Sequence, residues 1–151
     1  MEAVAFTGTI RTEVGKKATK AVRAAGEIPA ILYSKNGNTH FSTTHKAVKP
    51  LIFTPEFRVA EIELDGKAAR AIVKDIQWDP VTDEIVHIDF LELIDGHPVK
   101  LEIPVAFVGN APGTRAGGKL LQLMRRVKVK TTPENIINEL KLDISSLELG
   151  Q

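Results

Sequence analysis

Alternation of apolar and polar positions recurs along much of the chain and predicts strands. Val59, Glu61 and Glu63 alternate with Ala60, Ile62 and Leu64, and Asp65-Gly66 then turns the chain into a second run over 69–77, a hairpin pattern. From Ile85 to Leu93 the alternation returns after a turn begun by Asp79-Pro80; it predicts Val86, Ile88 and Phe90 on one face and residues 85, 87, 89 and 91 on the other. Phe6 to Val14 reads as an earlier strand, ending at Gly15. Ile28 to Tyr33 is a short apolar run, expected as a buried strand with Pro29 at its start. Asn36-Gly37 is a tight-turn signal after it. Two segments depart from period two. Residues 18–25 are good helix formers that stop at Gly26, a residue suited to a left-handed cap. Residues 43–53 predict a second short helix, made irregular by Pro50 and Pro55.

After Ile94-Asp95-Gly96 the pattern resets. Val99–Ile103 and 105–108 are strand-like and separated by Pro104, Ala111-Pro112-Gly113 and Gly117-Gly118 predict a flexible loop, and Leu120–Lys130 ends in a basic alternating strand. Leu140–Ile144 predicts one more strand. The expected fold is mainly β. Residues 1–94 form a small β-barrel with two or three short helices, and residues 95–151 form a smaller all-β domain whose core is marginal on its own.

Composition narrows the chemistry. The hydrophobic fraction of 43% and charged fraction of 26% are those of an ordinary globular protein. The absence of cysteine excludes disulfides, thiolate metal sites and a cysteine nucleophile. No apolar run approaches the ~18 residues of a membrane helix, and the first residues lack the basic start of a signal peptide; a cytoplasmic protein without membrane association is expected. The net charge of +1 hides a division: residues 1–50 carry eight Lys/Arg against three Asp/Glu, residues 51–96 four against eleven, and residues 97–151 eight against five. A basic N-terminal third is a first mark of nucleic-acid binding, although basic residues also simply solvate surfaces.

Two stretches, Arg11-Thr12-Glu13-Val14-Gly15-Lys16 and Arg23-Ala24-Ala25-Gly26-Glu27-Ile28-Pro29-Ala30-Ile31-Leu32-Tyr33, resemble the opening of the bacterial ribosomal protein L25 family, which includes the general stress protein Ctc. Val86-His87-Ile88-Asp89-Phe90-Leu91-Glu92 resembles its second signature. Ile103-Pro104-Val105 through Pro112-Gly113 and Gly117-Gly118-Lys119-Leu120 is similar to the C-terminal domain of its two-domain members. The resemblance implies a non-enzymatic protein of the large ribosomal subunit that binds 5S rRNA. Its N-terminal β-barrel would take the widened minor groove of the non-Watson–Crick helix called loop E.

Candidate contacts follow from both sources. Lys16, Lys20 and Arg23 are spaced i, i+4, i+7 and share a face if 16–25 is helical, a face that can lie along phosphates. Family members often carry arginine where this chain has Lys20 and Ala21, so Lys20 would act as a point charge rather than a fork. The resemblance assigns RNA contacts to Arg11, Tyr33 and Gln77; Ser34 stands where a glycine usually follows the tyrosine. His87 and Asp89 share a strand face at i, i+2. An imidazole can donate to a phosphate or 2′-hydroxyl, and a carboxylate can accept from a guanine edge or a 2′-hydroxyl. A solvent-facing polar pair is the plainer reading; half a metal site is disfavoured because His40, His45 and His97 lack ligand spacing.

No cofactor, metal or small-molecule substrate is expected. Gly113 to Lys119 fits the G-x-x-x-x-G-K phosphate loop, but Leu120 stands where Ser or Thr must hold magnesium, and no clear helix follows. Two competing functions remain: a hydrolase using His87 and Asp89 as base and orienting partner, and a stress-linked protein–protein adaptor. The final segment, 142–151, resembles one that usually leads into a further strand, so a truncated chain or an exposed sheet edge is expected.

Overall fold

The computed structural model describes residues 3–150. In chain order the elements are β1 (Ala3–Ile10), α1 (Lys16–Ala24), β2 (Glu27–Ser34), β3 (Gly37–Thr44), α2 (His45–Ile52), β4 (Val59–Leu64), β5 (Lys67–Trp78), β6 (Ile85–Glu92), β7 (Val99–Val108), α3 (Pro112–Arg115), β8 (Arg126–Thr131), a 3₁₀ turn at Pro133–Asn135, and β9 (Leu140–Asp143). They divide into two compact units, one of residues up to Thr54 with Arg58–His97, the other of Pro55–Phe57 with the residues from Pro98 on.

The first unit is a closed six-stranded barrel in the order β1-β3-β2-β6-β5-β4. The antiparallel pairs β2–β3, β4–β5, β5–β6 and β1–β3, together with the parallel pairs β2–β6 and β1–β4, complete the ring. Asp65 and Gly66 both have positive φ, 47° and 76°, as a two-residue turn between right-twisted strands requires. The other tight turn falls one residue earlier than Asn36-Gly37 predicts: Ser34 pairs with Gly37, leaving Lys35-Asn36 between the strands. Asp79 organises the β5–β6 turn by accepting from the Val81 and Thr82 amides at 2.8 and 3.1 Å. Those bonds hold its carboxyl below the usual range.

Phe6, Phe41 and Phe90 meet inside the barrel, with ring centroids 5.9 Å apart for Phe6–Phe90 and 5.8 Å for Phe41–Phe90. Helix α1 packs against β2, so that strand is covered from both sides. Ile28, Pro29 and Ala30 are consecutively buried for this reason, giving a continuous apolar run instead of an alternating one. Gly26, at φ 79°, ends the helix as expected.

Two bulges reset the alternation on the β5–β6 ladder. Gln77 pairs with His87 but Trp78 pairs with Ile85, which leaves Val86 as an extra residue. Ile85, expected on the outer face, therefore joins Ile88 and Phe90 in the core. At the other shift Val73 pairs with Phe90 and Asp75 with Asp89, making Lys74 the extra residue.

In the second unit Pro104 does not break the strand. β7 runs unbroken through it, pairing antiparallel with β8 over Val99–Pro104 and parallel with β9 over Val105–Val108. Proline stands where one ladder hands over to the other. The loop predicted from Ala111-Pro112-Gly113 and Gly117-Gly118 contains α3, whose first residue is Pro112, where the missing N–H costs no helical bond. Strand β8 begins only at Arg126; Leu121, Leu123 and Met124 before it are irregular and exposed. No helix follows Lys119, so the phosphate-loop match lacks its framework. Among the described residues β9 pairs with β7 alone.

Candidate nucleic-acid interface

Strand β6 fixes the centre of the site. Ile88 and Phe90, both fully buried, lock its inner face, and period two turns His87 and Asp89 to the outer one. His87 Nδ1 and Asp89 Oδ1 are 2.9 Å apart, with side chains only 17% and 20% exposed. Such burial desolvates the imidazole and pushes its pKa below the usual 6.5. The Asp89 charge opposes that shift, and the Arg23 and Arg11 charges reinforce it. The net shift favours the neutral imidazole. A carboxylate can only accept, so Nδ1–H donates to Asp89 and Nε2 is left as an acceptor. The pair thus presents an acceptor at the ring's outer nitrogen, which suits a 2′-hydroxyl or an exocyclic amine better than a phosphate.

Cations frame this acceptor pair. Arg23, in the last turn of α1, donates from Nε to the Val86 carbonyl at 3.1 Å. Arg11 follows β1, and its amide donates to the His40 carbonyl on β3 at 2.8 Å. Gln77 is the direct cross-strand neighbour of His87. These residues come from regions far apart in sequence, and the barrel gathers Arg11, Arg23, Gln77, His87 and Asp89 on one side. Lys16 and Lys20 are exposed on α1, along the helix from Arg23. Tyr33 sits one step along the sheet: Ile31 pairs with Asp89, and Tyr33 pairs with Leu91.

Three neighbours of this face are not among the residues that the sequence singles out for RNA. The bulged Lys74 places Nζ 4.6 Å from the centroid of the Tyr33 ring, a cation–π contact. His40 lies opposite Ile31, in the same cross-strand row as Asp89, a position set by register and invisible to ligand spacing. Asp75 lies directly opposite Asp89. Like charges so placed repel, but Asp75 Oδ1 accepts from the Ile76 amide at 2.9 Å and Asp89 is held by His87. Among the described residues no His, Asp and Glu cluster could hold a metal ion.

Fold and face together define a two-unit β protein with a closed barrel carrying a mixed-charge polar surface. Comparison with known proteins makes this specific. The profile of the Ribosomal L25p family matches residues 6–90, and that of the Ribosomal protein TL5, C-terminal domain, matches residues 98–151. A large ribosomal subunit protein bL25 of Porphyromonas gingivalis is 45% identical over 153 residues, spanning 100% of this chain and 80% of that protein. A bL25 of Phocaeicola vulgatus is 42% identical over 158 residues, with the same coverage. That of Parabacteroides distasonis is 47% identical over 136 residues, covering 90% of this chain and 70% of its own length. The chain belongs to the ribosomal L25p family. Its relatives are named as proteins of the large ribosomal subunit, so the hydrolase reading of His87 and Asp89 falls away.

Proposed function

We propose that this chain, a structural protein of the bacterial large ribosomal subunit and hence of the cytoplasm, binds 5S rRNA in its loop E region through the outer face of the first unit. The observation that carries this reading is the His87–Asp89 pair at 2.9 Å with Arg11 and Arg23 beside it. Phosphate contacts position a protein on RNA, whereas groups that reach base edges and 2′-hydroxyls discriminate. Arg11, Lys16, Lys20 and Arg23 supply the first kind of contact. His87 Nε2 and the outward oxygen of Asp89 supply the second, in a widened minor groove where 2′-hydroxyls line the wall. A carboxylate on a basic face weakens non-specific binding, so its presence favours readout. Gln77 extends the row with an amide that can donate and accept, and Tyr33, under the Lys74 charge, meets the backbone at its margin. The domain that grips RNA comprises residues 1–94, with residues 95–151 as a separate domain.

The test is binding of 5S rRNA against an unrelated duplex of equal length across a salt series. Preference for 5S rRNA that persists as salt rises supports the reading, together with a loss of about 1–3 kcal/mol for Arg11→Ala. Equal affinity for the two RNAs overturns it.

A further inference from the structure

The second unit carries a basic face of its own. Along β8, Arg126, Lys128 and Lys130 are exposed, while Val127 and Val129 alternate inward opposite Ile103 and Leu101 of β7. Ile103 and Leu101 are buried, which fixes the facing of the whole ladder. The register sets Lys100 beside Lys130 and Glu102 beside Lys128. Of these, Glu102 alone is acidic, and it stands 3.8 Å from a Lys128 ammonium whose side chain is 85% exposed.

We propose that this face, Arg126, Lys128 and Lys130 with Lys100, is a second RNA surface that takes a phosphate backbone without reading sequence. Same-face residues on a strand stand about 6.6–6.8 Å apart, twice the rise per residue. That interval is of the order of the spacing between successive phosphates along a nucleic-acid strand, so one backbone can meet several cations in turn. No aromatic ring lies among these residues, so the face has no platform for stacked bases and is suited to the backbone alone. A long, flexible ammonium suits such contacts, since it can follow a phosphate without a fixed geometry. Membership of a ribosomal family makes RNA the polyanion to expect. The inference does not depend on the first unit's preference for 5S rRNA.

Lysines on an edge strand also discourage strand-to-strand association, and the experiment separates the two roles. The probe is polyuridylate, which has no folded helix for the first unit to read, and the readout is the slope of log affinity against log salt for the full chain. The Arg126→Ala/Lys128→Ala/Lys130→Ala variant is expected to lose about 2 from that slope, at ~0.7 per single-strand phosphate contact. Glu102→Gln, which removes the one acid and leaves every cation, is expected to bind polyuridylate several-fold more tightly at low salt. Lys128→Arg/Lys130→Arg keeps the charge and should keep the slope, which guards against a folding defect in the alanine variant. An unchanged slope in the triple variant, whether or not it aggregates, overturns the proposal, as does an unchanged affinity in Glu102→Gln. Competition by polyglutamate as strong as by polyuridylate at equal charge also overturns it, by assigning the face to an acidic protein. Failure of the first unit to prefer 5S rRNA leaves all these outcomes readable.

Discussion

Arg23 Nε donates to the carbonyl oxygen of Val86 at 3.1 Å, bridging residues 63 positions apart and tying the last turn of α1 to the bulge that precedes His87. One N–H of the guanidinium is used in this tether, and the others remain for a second partner.

Replacing Arg23 by lysine keeps the charge but removes the planar fork. Arg23→Lys is expected to lose about 1 kcal/mol of stability, the usual worth of one hydrogen bond, and to weaken 5S rRNA binding more than loss of one phosphate contact does, because α1 is less well placed. Chemical denaturation and filter binding measure the two effects; wild-type values in both would show the tether to be idle.

The depressed pKa of His87 makes stability pH-dependent in a defined direction. Its folded value lies below the unfolded value of 6.5, mainly through burial, so the unfolded chain binds the proton first on acidification. The contribution is fully present above pH 6.5 and is lost as pH falls through the folded pKa. Thermal midpoints between pH 7.5 and 5 should fall for the wild type and fall less for His87→Gln. Parallel curves would mean that the imidazole is not desolvated in solution.

His87 and Asp89 should behave as one unit toward RNA. His87→Ala and Asp89→Asn are each expected to cost about 1–3 kcal/mol in 5S rRNA affinity, and the double variant to cost less than their sum. A double-mutant cycle reads the coupling directly; strict additivity would mean that each residue contacts RNA independently of the other.

Gly8 is a packing glycine on β1. A Cβ there would stand 2.6 Å from Phe41 Cδ2 and 2.9 Å from Leu64 Cδ2. Gly8→Ala is expected to destabilise by about 1–3 kcal/mol, the usual range for overpacking. The same change made in a Phe41→Leu background should cost less, since the ring that obstructs it is gone. Denaturant midpoints of the four proteins test this.

Local chemistry made much of this fold legible. Asp65-Gly66 marks its hairpin because only a turn with two positive φ values fits there, and Gly26 marks the end of α1. The outer placement of His87 and Asp89 was readable because Ile88 and Phe90 must face inward. A bulge consumes one residue without changing composition, so alternation counted from Phe90 puts Ile85, beyond Val86, on the wrong face. Pro104 reads as a break because a sequence does not reveal that a strand can change partners at a proline. The candidate site was legible as residue types but not as an assembly. Arg11 and Arg23 influence His87 only because the barrel closes, and Lys74 reaches Tyr33 only because it is the extra residue of a bulge.

The parallel seam between β1 and β4 has a consequence for the order of folding. Ala3 pairs with Val59 and Gly8 with Leu64, so the first strand synthesised must wait for a partner that emerges much later. Contacts of such sequence separation slow folding, because loop-closure entropy is lost before the pairing rewards it. Until the β4–β5 hairpin is available, β1 can pair only with β3, through Thr9 and Ile10, and its other edge is unsatisfied, a state in which a chain is exposed to aggregation. Closure also waits for the second parallel seam, in which Ala30 pairs with Ile88 and Ile31 with Asp89, so the strand that carries His87 and Asp89 belongs to the late, non-local part of barrel assembly.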